Sequence, residues 1–315
     1  MRAVWLTEFG GPEVLVAGEA PEPVAGPGQV LVAVAYANIT FVETQYRATG
    51  RGPFGIEPPG ILGNGVGGVV TEVGPGADAG LVGQRVVTST GGSGGYAERV
   101  AVDASGVFAV PDGVPLDTAV ALLADGRTAL LNLRAVGPVA GQRVLVLAAA
   151  GGVGTLLVQL AGAAGAAVVG ASGGPDKRDV VRALGADDAV DYLRPDWARR
   201  AGPVDVVFDG VGGPLGRAAF ELLRPGGRMS SYGSASGEWA AVDPDRAAAR
   251  GVALVPGDRP APQLVRELVR EVLGLAARRA VRPVIGRRFP LADAAAAHAA
   301  IEARSTVGKT LLEVR

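Results

Sequence analysis

The sequence predicts an α/β protein in which a doubly wound parallel sheet is inserted into a β-rich domain. Strand-like and helix-like segments alternate from 119 to 256, whereas residues 1–110 contain short strands separated by Pro and Gly turns. After a Pro-containing break at 256–262, the tail predicts a helix, a strand, a helix and a final strand. We therefore expect 1–118 with 257–315 to form the β-rich domain, and 119–256 to form the inserted domain.

The clearest local pattern is a strand, a turn of small residues and a helix. Residues 144–147 form a continuous apolar run, 148–154 contain only Gly, Ala and Val, and 155–164 place apolar residues at helical spacing. Small residues let backbone N–H groups and a helix N-terminus approach a pyrophosphate. The segment 163–170 supplies a second short strand and completes a β-α-β unit. The pattern predicts a Rossmann-type, dinucleotide-binding domain.

Composition excludes several classes of protein and site. The net charge is −1 with dispersed basic residues, which indicates neither a nucleic-acid nor a membrane surface. The N-terminus carries no signal-like segment, so a cytoplasmic protein is expected. The absence of Cys excludes disulfides, thiolate catalysis and thiolate zinc sites. The single histidine, His298, lies in an Ala-rich segment and is interpreted as an ordinary helix residue, so no metal site is predicted.

The end of the second predicted strand indicates which dinucleotide is bound. An acidic residue at this point would hold the ribose of NAD, but 170–174 contain no acid. Ser172 lies there, and Lys177 and Arg178 follow. Hydroxyl and cationic groups favour the 2′-phosphate of NADPH. The alternative is that Lys177 and Arg178 are solvated charges at the start of a helix.

Separated motifs along nearly the whole chain resemble one enzyme family. They are 1–14, 27–32, 91–98 (GGSGGYAE), 148–154 (AAAGGVG), 205–213 (DVVFDGVGG), 223–233 and 308–312. In this order they resemble the zinc-independent quinone oxidoreductases, the zeta-crystallin-like group of the medium-chain dehydrogenase/reductase superfamily. The resemblance implies a GroES-like catalytic domain that carries the inserted Rossmann-type domain, a tail that returns to the first domain, and a homodimer.

The resemblance also implies which residues contact NADPH. Thr128 is expected near the nicotinamide. Tyr192 is expected at the adenosine ribose, although an aromatic residue on a strand edge is an alternative interpretation. The full implied set is Ala150, Gly151, Gly152 and Val153 on the pyrophosphate, Ser172, Gly173, Lys177 and Tyr192 at the 2′-phosphate and ribose, Thr128, Gly233 and Ser234 beside the nicotinamide, and Arg304 and Lys309 as a basic pair.

The chain departs from the family pattern around the substrate. Thr40 stands where the family commonly has Asn, and Glu43 replaces Asp. Gly65 replaces the Glu of a Gly-x-Glu-x-x-Gly segment and so removes a carboxylate from the expected cleft. Asp125 and Arg127 bring charges to a segment where apolar residues or Lys are frequent. These changes weaken the inference about the substrate more than the inference about the cofactor.

The expected reaction is hydride transfer from NADPH to a quinone or to the β-carbon of an enone. Without a metal, hydrogen bonds must stabilise the negative charge that develops on the substrate oxygen. The hydroxyl and cationic candidates for this role are Thr40, Tyr46, Arg127 and Thr128. For an enone, Tyr46 or water is the candidate donor of the proton that the α-carbon receives.

Two other functions remain open at the level of sequence. The same scaffold can perform a pathway-specific step, such as tailoring a polyketide, and Thr40 and Gly65 would then reflect a reshaped cleft. The chain can also be a non-catalytic NADPH-binding sensor or structural subunit. In each case a homodimer is expected, with a predicted edge strand at 251–255 pairing across a two-fold axis.

Overall fold

The structure is a computed structural model that describes residues 1–257 and 260–314. It divides the chain into two compact units, Met1–Ala124 with Val269–Arg315, and Asp125–Leu268. Both boundaries fall inside helices, so no loop marks them in the sequence. The boundaries expected at 118/119 and 256/257 lie earlier because they follow breaks at Pro residues. Residues 258 and 259 of the expected break lie outside the described residues.

Short strands dominate both ends of the chain, and the strands in the middle alternate with helices. In chain order they are β1 (Arg2–Leu6), β2 (Leu15–Glu19), β3 (Gln29–Ile39), β4 (Gly60–Ile61), β5 (Gly65–Val73), β6 (Arg85–Ser89), β7 (Arg99–Asp103), β8 (Phe108–Ala109), β9 (Arg143–Leu147), β10 (Ala167–Ser172), β11 (Asp188–Asp191), β12 (Val204–Asp209), β13 (Leu223–Ser231), β14 (Ala253–Val255), β15 (Ile285–Pro290) and β16 (Lys309–Glu313).

Helices alternate with strands in the middle segment, and further helices lie on either side of it. In chain order they are α1 (Phe41–Thr49), α2 (Leu116–Val136), α3 (Gly152–Ala163), α4 (Pro175–Ala183), α5 (Trp197–Ala201), α6 (Gly213–Glu221), α7 (Pro244–Ala249), α8 (Pro262–Ala277) and α9 (Ala294–Glu302). Within the described residues, none of these helices has the length and apolar character that a membrane crossing requires.

In the first unit, β3 is the strand around which the sheet is built. The strand order is β15-β16-β3-β5-β6-β8, and β7 also pairs with β3. A further antiparallel arrangement has the order β2-β1-β4. Because β16 runs antiparallel to β3, the C-terminal tail belongs to the same β-rich unit as the N-terminus.

Close approach of β3 and β5 requires glycine. A Cβ built on Gly68 would lie 1.9 Å from the carbonyl oxygen of Ala33, which is closer than any side chain tolerates. The apolar faces of these strands, including Val32, Val34 and Val66, are fully buried in the core of this unit. The glycine therefore sets the distance at which the two strands pair.

The second unit contains the predicted doubly wound sheet. Its strands are parallel and have the order β11-β10-β9-β12-β13-β14. The chain runs outward from β9 through β10 to β11 and then returns to β12 on the other side of β9. This reversal makes a crevice at the carboxyl ends of β9 and β12, which is where ligands bind in such sheets. The predicted fold class is confirmed.

Candidate functional site: the crevice of the parallel sheet and a buried polar cluster

The turn between β9 and α3 passes close to its own backbone. Gly151 precedes α3 in extended conformation (φ −83°), and Gly152 begins the helix. A Cβ built on Gly154 would lie 2.2 Å from the carbonyl oxygen of Ala148, so only glycine fits. The predicted pyrophosphate residues 150–153 therefore lie at the N-terminus of a helix, where free N–H groups and the helix dipole bind anions.

A carboxylate lies against this turn. A Cβ built on Gly152 would lie 1.9 Å from Oδ2 of Asp125, and the Asp125 side chain is buried. Asp125 stands on α2 beside Arg127; burial lowers the pKa of Arg127, and the charge of Asp125 acts in the opposite direction. The carboxylate is favourable for the N-terminus of α3. It also occupies the neighbourhood in which a phosphate would bind.

Two further side chains border the crevice between β9 and β12. The hydroxyl of Tyr232 donates a hydrogen bond to the carbonyl oxygen of Leu147 at 3.3 Å. A Cβ built on Gly210 would lie 2.6 Å from that hydroxyl. Asp209 is fully buried and accepts hydrogen bonds of 2.9 and 2.8 Å from two N–H groups of the loop after β12. Burial raises the pKa of Tyr232 and of Asp209.

The end of β10 contains an unsatisfied hydroxyl. Ser172 is buried, and its Oγ has no hydrogen-bond partner among the described residues; the same is true of Nε of Arg178. A Cβ built on Gly173 would lie 3.2 Å from the ring of Tyr192. Buried polar atoms are normally paired, so unpaired ones call for a ligand or water. These residues, with the half-buried Lys177 on α4, fit a ribose that carries a phosphate.

An acid that the sequence pattern did not indicate approaches this strand end. Oδ1 of Asp191 accepts hydrogen bonds from the N–H groups of Gly174 at 3.1 Å and Leu193 at 3.0 Å. Although burial acts to raise the pKa of Asp191, these N–H groups and the charges of Arg178 and Arg194 lower it. The region expected to be free of acids therefore contains an ionised carboxylate, which is engaged with backbone N–H groups.

The remaining residues expected beside the nicotinamide lie on α2 and after β13. The carbonyl oxygen of Thr128 accepts a hydrogen bond from Nδ2 of Asn132 at 2.7 Å. A Cβ built on Gly233 would lie 2.9 Å from the carbonyl oxygen of Gly210, so Gly233 and the following Ser234 pass close to the end of β12. Thr128, Gly233 and Ser234 thus belong to the second unit, together with the crevice.

In the first unit, a buried polar cluster surrounds Glu43 on α1. Its Oε2 accepts hydrogen bonds from the N–H (2.7 Å) and the hydroxyl (2.8 Å) of Thr40, and its Oε1 accepts one from the N–H of Asn64 at 2.9 Å. Burial raises the pKa of Glu43, while the Thr40 hydrogen bonds and the charge of Lys309 act to lower it. Because Thr40 gives its one hydroxyl proton to Glu43, it can donate to a substrate only when Glu43 is protonated.

The single histidine completes this cluster. Nε2 of His298 lies 3.0 Å from the hydroxyl of Tyr96, which in turn lies 3.4 Å from Oε1 of Glu43. Burial and then the charge of Arg47 lower the pKa of His298 to about 3. The ring is therefore neutral near pH 7, and it is fully buried in the first unit, edge-to-face with the ring of Tyr96.

Tyr46, a catalytic candidate from the sequence, has its hydroxyl bonded to backbone. Its hydroxyl donates to the carbonyl oxygen of Ile56 and accepts from the N–H of the same residue, both at 2.7 Å. Its ring is buried and packs edge-to-face against Phe9 and Phe54. In this structure the backbone of Ile56 therefore uses both the donor and the acceptor function of the Tyr46 hydroxyl.

The two basic residues expected near the cofactor lie in different environments. Lys309 begins β16, is buried, and its charge acts on Glu43. Arg304 is exposed just after α9 and has a left-handed backbone (φ 54°). Lys309 therefore acts on the buried polar cluster, whereas Arg304 lies at the surface.

The space left by the missing carboxylate at Gly65 is filled. A Cβ built on Gly65 would lie 2.3 Å from Nδ2 of Asn38, and that Nδ2 donates to the carbonyl oxygen of Val120 at 3.3 Å. Asn38 is buried. Gly65 therefore accommodates a buried amide, and the substitution does not leave an open cavity at this position.

Comparison with known proteins agrees with this architecture. Residues 26–112 match an alcohol dehydrogenase GroES-like domain, and 184–312 match a zinc-binding dehydrogenase domain. The chain is 32% identical to the quinone oxidoreductase of Pseudomonas aeruginosa, with 99% of each chain covered. It is 32% identical to the 2-haloacrylate reductase of a Burkholderia species, covering 99% of this chain and 98% of that one. The crystal structure of Escherichia coli quinone oxidoreductase complexed with NADPH matches with a TM-score of 0.90, at 27% identity and full coverage of both.

A GroES-like β-rich unit with an inserted, doubly wound unit defines a medium-chain dehydrogenase/reductase. Within this superfamily the chain belongs to the quinone oxidoreductases, and it is an oxidoreductase. The matched description mentions zinc, but the chain has no Cys, and its described residues contain no group of three or more His, Asp or Glu that would hold a metal ion.

Proposed function

We propose that this oxidoreductase transfers hydride from NADPH to a quinone or to the β-carbon of an α,β-unsaturated carbonyl compound. The observation that supports the cofactor most directly is the buried, unpaired hydroxyl of Ser172. It lies at the strand end where a dinucleotide ribose binds in this fold. The relatives support the substrate class, because a quinone and a 2-haloacrylate each contain a C=C bond conjugated to a carbonyl group.

When bound, NADPH would supply the hydride. The residues proposed to hold it are those of the turn at 150–153, with Ser172, Gly173, Lys177 and Tyr192 at the phosphorylated ribose. Helix N-terminal N–H groups would bind the pyrophosphate. Thr128, Gly233 and Ser234 are proposed to position the nicotinamide.

Side chains of the protein are proposed to stabilise the negative charge that develops on the substrate oxygen. Arg127 and Thr128 are the proposed donors of the second unit, since a preorganised cation or hydroxyl lowers the energy of a developing negative charge. Thr40 of the first unit contributes a hydrogen bond only when Glu43 is protonated, and burial raises the pKa of Glu43 in that direction. With the Tyr46 hydroxyl engaged by Ile56, water is the proposed source of the α-carbon proton.

The test is consumption of NADPH by the purified protein, with NADH in parallel, against a panel of small quinones and enones. We expect turnover that prefers NADPH. NADPH binding, seen by cofactor fluorescence, without turnover of any acceptor would instead favour a sensor or structural subunit. Turnover of one elaborate substrate alone would favour a pathway-specific enzyme, such as one that tailors a polyketide.

Lys177→Ala is expected to weaken the binding of NADPH by about tenfold or more and to change the binding of NADH little. A cation that pairs with the 2′-phosphate makes a charge-assisted hydrogen bond, and NADH has no such phosphate. Dissociation constants from fluorescence titration measure both effects. Arg199→Ala, which removes a cation that is 81% exposed on α5, is the matched control. An equal loss for both dinucleotides would show that Lys177 does not contact the 2′-phosphate.

A homodimer is the proposed oligomeric state, with the free edge of β14 pairing across a two-fold axis. Among the described residues β14 pairs only with β13, and Ala253 on it is exposed. Ala253→Lys would bring two lysines close together across the axis, and like charges destabilise such pairs. We expect light scattering to give a dimer for the parent and a monomer-shifted mass for the variant. An unchanged mass would exclude this edge as the interface.

A further inference from the structure

A groove in the second unit adjoins the crevice between β9 and β12, with which it shares Tyr232. Its volume is about 700 Å³, and it opens over the carboxyl ends of β13 and β14. One wall is a face of α2 that includes Leu131, Asn132 and Ala135, spaced three to four residues apart as on one side of a helix. Met229 and Leu254 lie on the floor. Helix and strand residues of one unit therefore form part of the groove, and residues of the loops at 239–242 and 256–257 also belong to the described lining.

The described residues that line the groove carry no charge. Among the described residues that line it there is no Asp, Glu, Lys or Arg side chain, and most of them are apolar. Its polar groups are already paired: Ser230 Oγ donates to Asn132 Oδ1 at 2.7 Å, and Asn132 Nδ2 donates to the carbonyl oxygen of Thr128 at 2.7 Å. A ligand with polar or charged groups would lose water here and gain few hydrogen bonds.

An aromatic side chain stands exposed at this groove. Trp239 lines it and is 55% exposed, the second highest exposure among large apolar side chains between residues 125 and 257 after Leu193. Exposed tryptophan is unusual on a surface that contacts only water, because its ring offers a large apolar area. The indole thus provides one side of a binding surface for an apolar group.

The groove reaches Thr128, one of the residues proposed to position the nicotinamide. Thr128 and Tyr232 belong to its lining. If the reactive C=C bond of a substrate lies beside Thr128, the remainder of the substrate can therefore extend into the groove. We propose that the groove binds an uncharged alkyl tail of the substrate. This inference rests on the proposed function, and it restricts the proposed substrates to those that carry an apolar tail.

The first experiment uses methyl vinyl ketone and its homologues with progressively longer alkyl tails, up to octyl, with NADPH. Burying a methylene group contributes up to about fourfold in binding. We expect kcat/KM to rise along the series, by a total on the order of a hundredfold. A value of kcat/KM that stays level as the tail grows would overturn the proposal.

Ala135→Trp locates the effect, because it adds an indole at an exposed position on the wall of the groove. We expect it to lower the ratio of kcat/KM for the longest over the shortest enone by about tenfold. Arg134→Trp, at the neighbouring exposed position outside the lining, is the matched control and should leave this ratio unchanged. Equal ratios in the parent protein and the Ala135→Trp variant would also overturn the proposal.

A binding measurement separates the groove from the proposed reaction. A saturated long-chain methyl ketone, which cannot accept hydride at a C=C bond, should quench the fluorescence of Trp239 with saturation, whereas butanone should not. Trp239→Phe identifies the signal among the three tryptophans of the chain. If no enone is reduced but quenching occurs and is lost in Ala135→Trp, the groove is supported and the proposed function fails. Absence of quenching, with or without turnover, would contradict the groove.

Discussion

Lowering the pH from about 7.5 to 5 is expected to remove about 2 kcal/mol from the free energy of unfolding through His298 alone. The pKa of His298 is lowered to about 3 in the folded protein from an ordinary value of 6.5. Between these two values the unfolded chain binds a proton that the folded chain does not. Stability from this group is therefore complete above about pH 6.5 and is lost progressively as the pH falls towards 3.

His298→Gln tests this expectation, because glutamine retains a polar partner for the Tyr96 hydroxyl but does not titrate. Urea unfolding of both proteins at several pH values gives the difference. We expect the variant to be less stable than the parent near neutral pH and to lose less stability on acidification. The raised pKa of Glu43 makes a contribution to the pH dependence of stability that has the opposite sign. This contribution is present in both proteins and cancels in the comparison. Parallel curves for the two proteins would show that the imidazole is protonated in the folded state.

Asp125→Asn is expected to raise the affinity for NADPH by about tenfold or more. The carboxylate lies against Gly152 at the N-terminus of α3, where the proposed pyrophosphate carries negative charge. Two unit charges about 5 Å apart interact by about 3 kcal/mol at a dielectric constant of about 20. Asparagine keeps the shape and a hydrogen-bond acceptor but removes this repulsion. Fluorescence titration with NADPH measures the change.

Asp112→Asn is the control for Asp125→Asn, because it makes the same change of net charge at an exposed position. It should leave the dissociation constant for NADPH unchanged. Weaker binding by Asp125→Asn would indicate that the carboxylate accepts a hydrogen bond from the cofactor. The gain should also extend to NADH, since both dinucleotides contain the pyrophosphate.

Local patterns in the sequence were sufficient for the parallel sheet. The run at 144–147 and the small residues at 148–154 determine a strand and a turn through their own sizes and hydrophobicity. The turn lies at the N-terminus of α3 because the helix begins at Gly152, within the run of small residues. The strand and the turn depend only on residues that are neighbours in the sequence, so they can be predicted without knowledge of the fold.

Contacts between segments that are distant in the sequence could not be predicted from such local patterns. Asp125 and Gly152 stand far apart in the sequence, and Asp191 reaches Gly174 from the next strand. Tyr46 was a reasonable proton donor by residue type, but its hydroxyl is consumed by Ile56 in a loop whose path no periodicity predicts. The composition of the site was thus predictable in part, whereas the availability of each polar group was set by tertiary packing.

The pairing of β3 with β16 has a consequence for biosynthesis. Ile39 lies opposite Thr310, and Tyr36 opposite Glu313, so the sheet of the first unit needs both ends of the chain. The segment Asp125–Leu268 is contiguous and emerges complete from the ribosome before the last strand is made. Domains generally fold as units during synthesis. The nascent chain therefore completes its nucleotide-binding sheet first and holds β3 without β16 until that strand has been made.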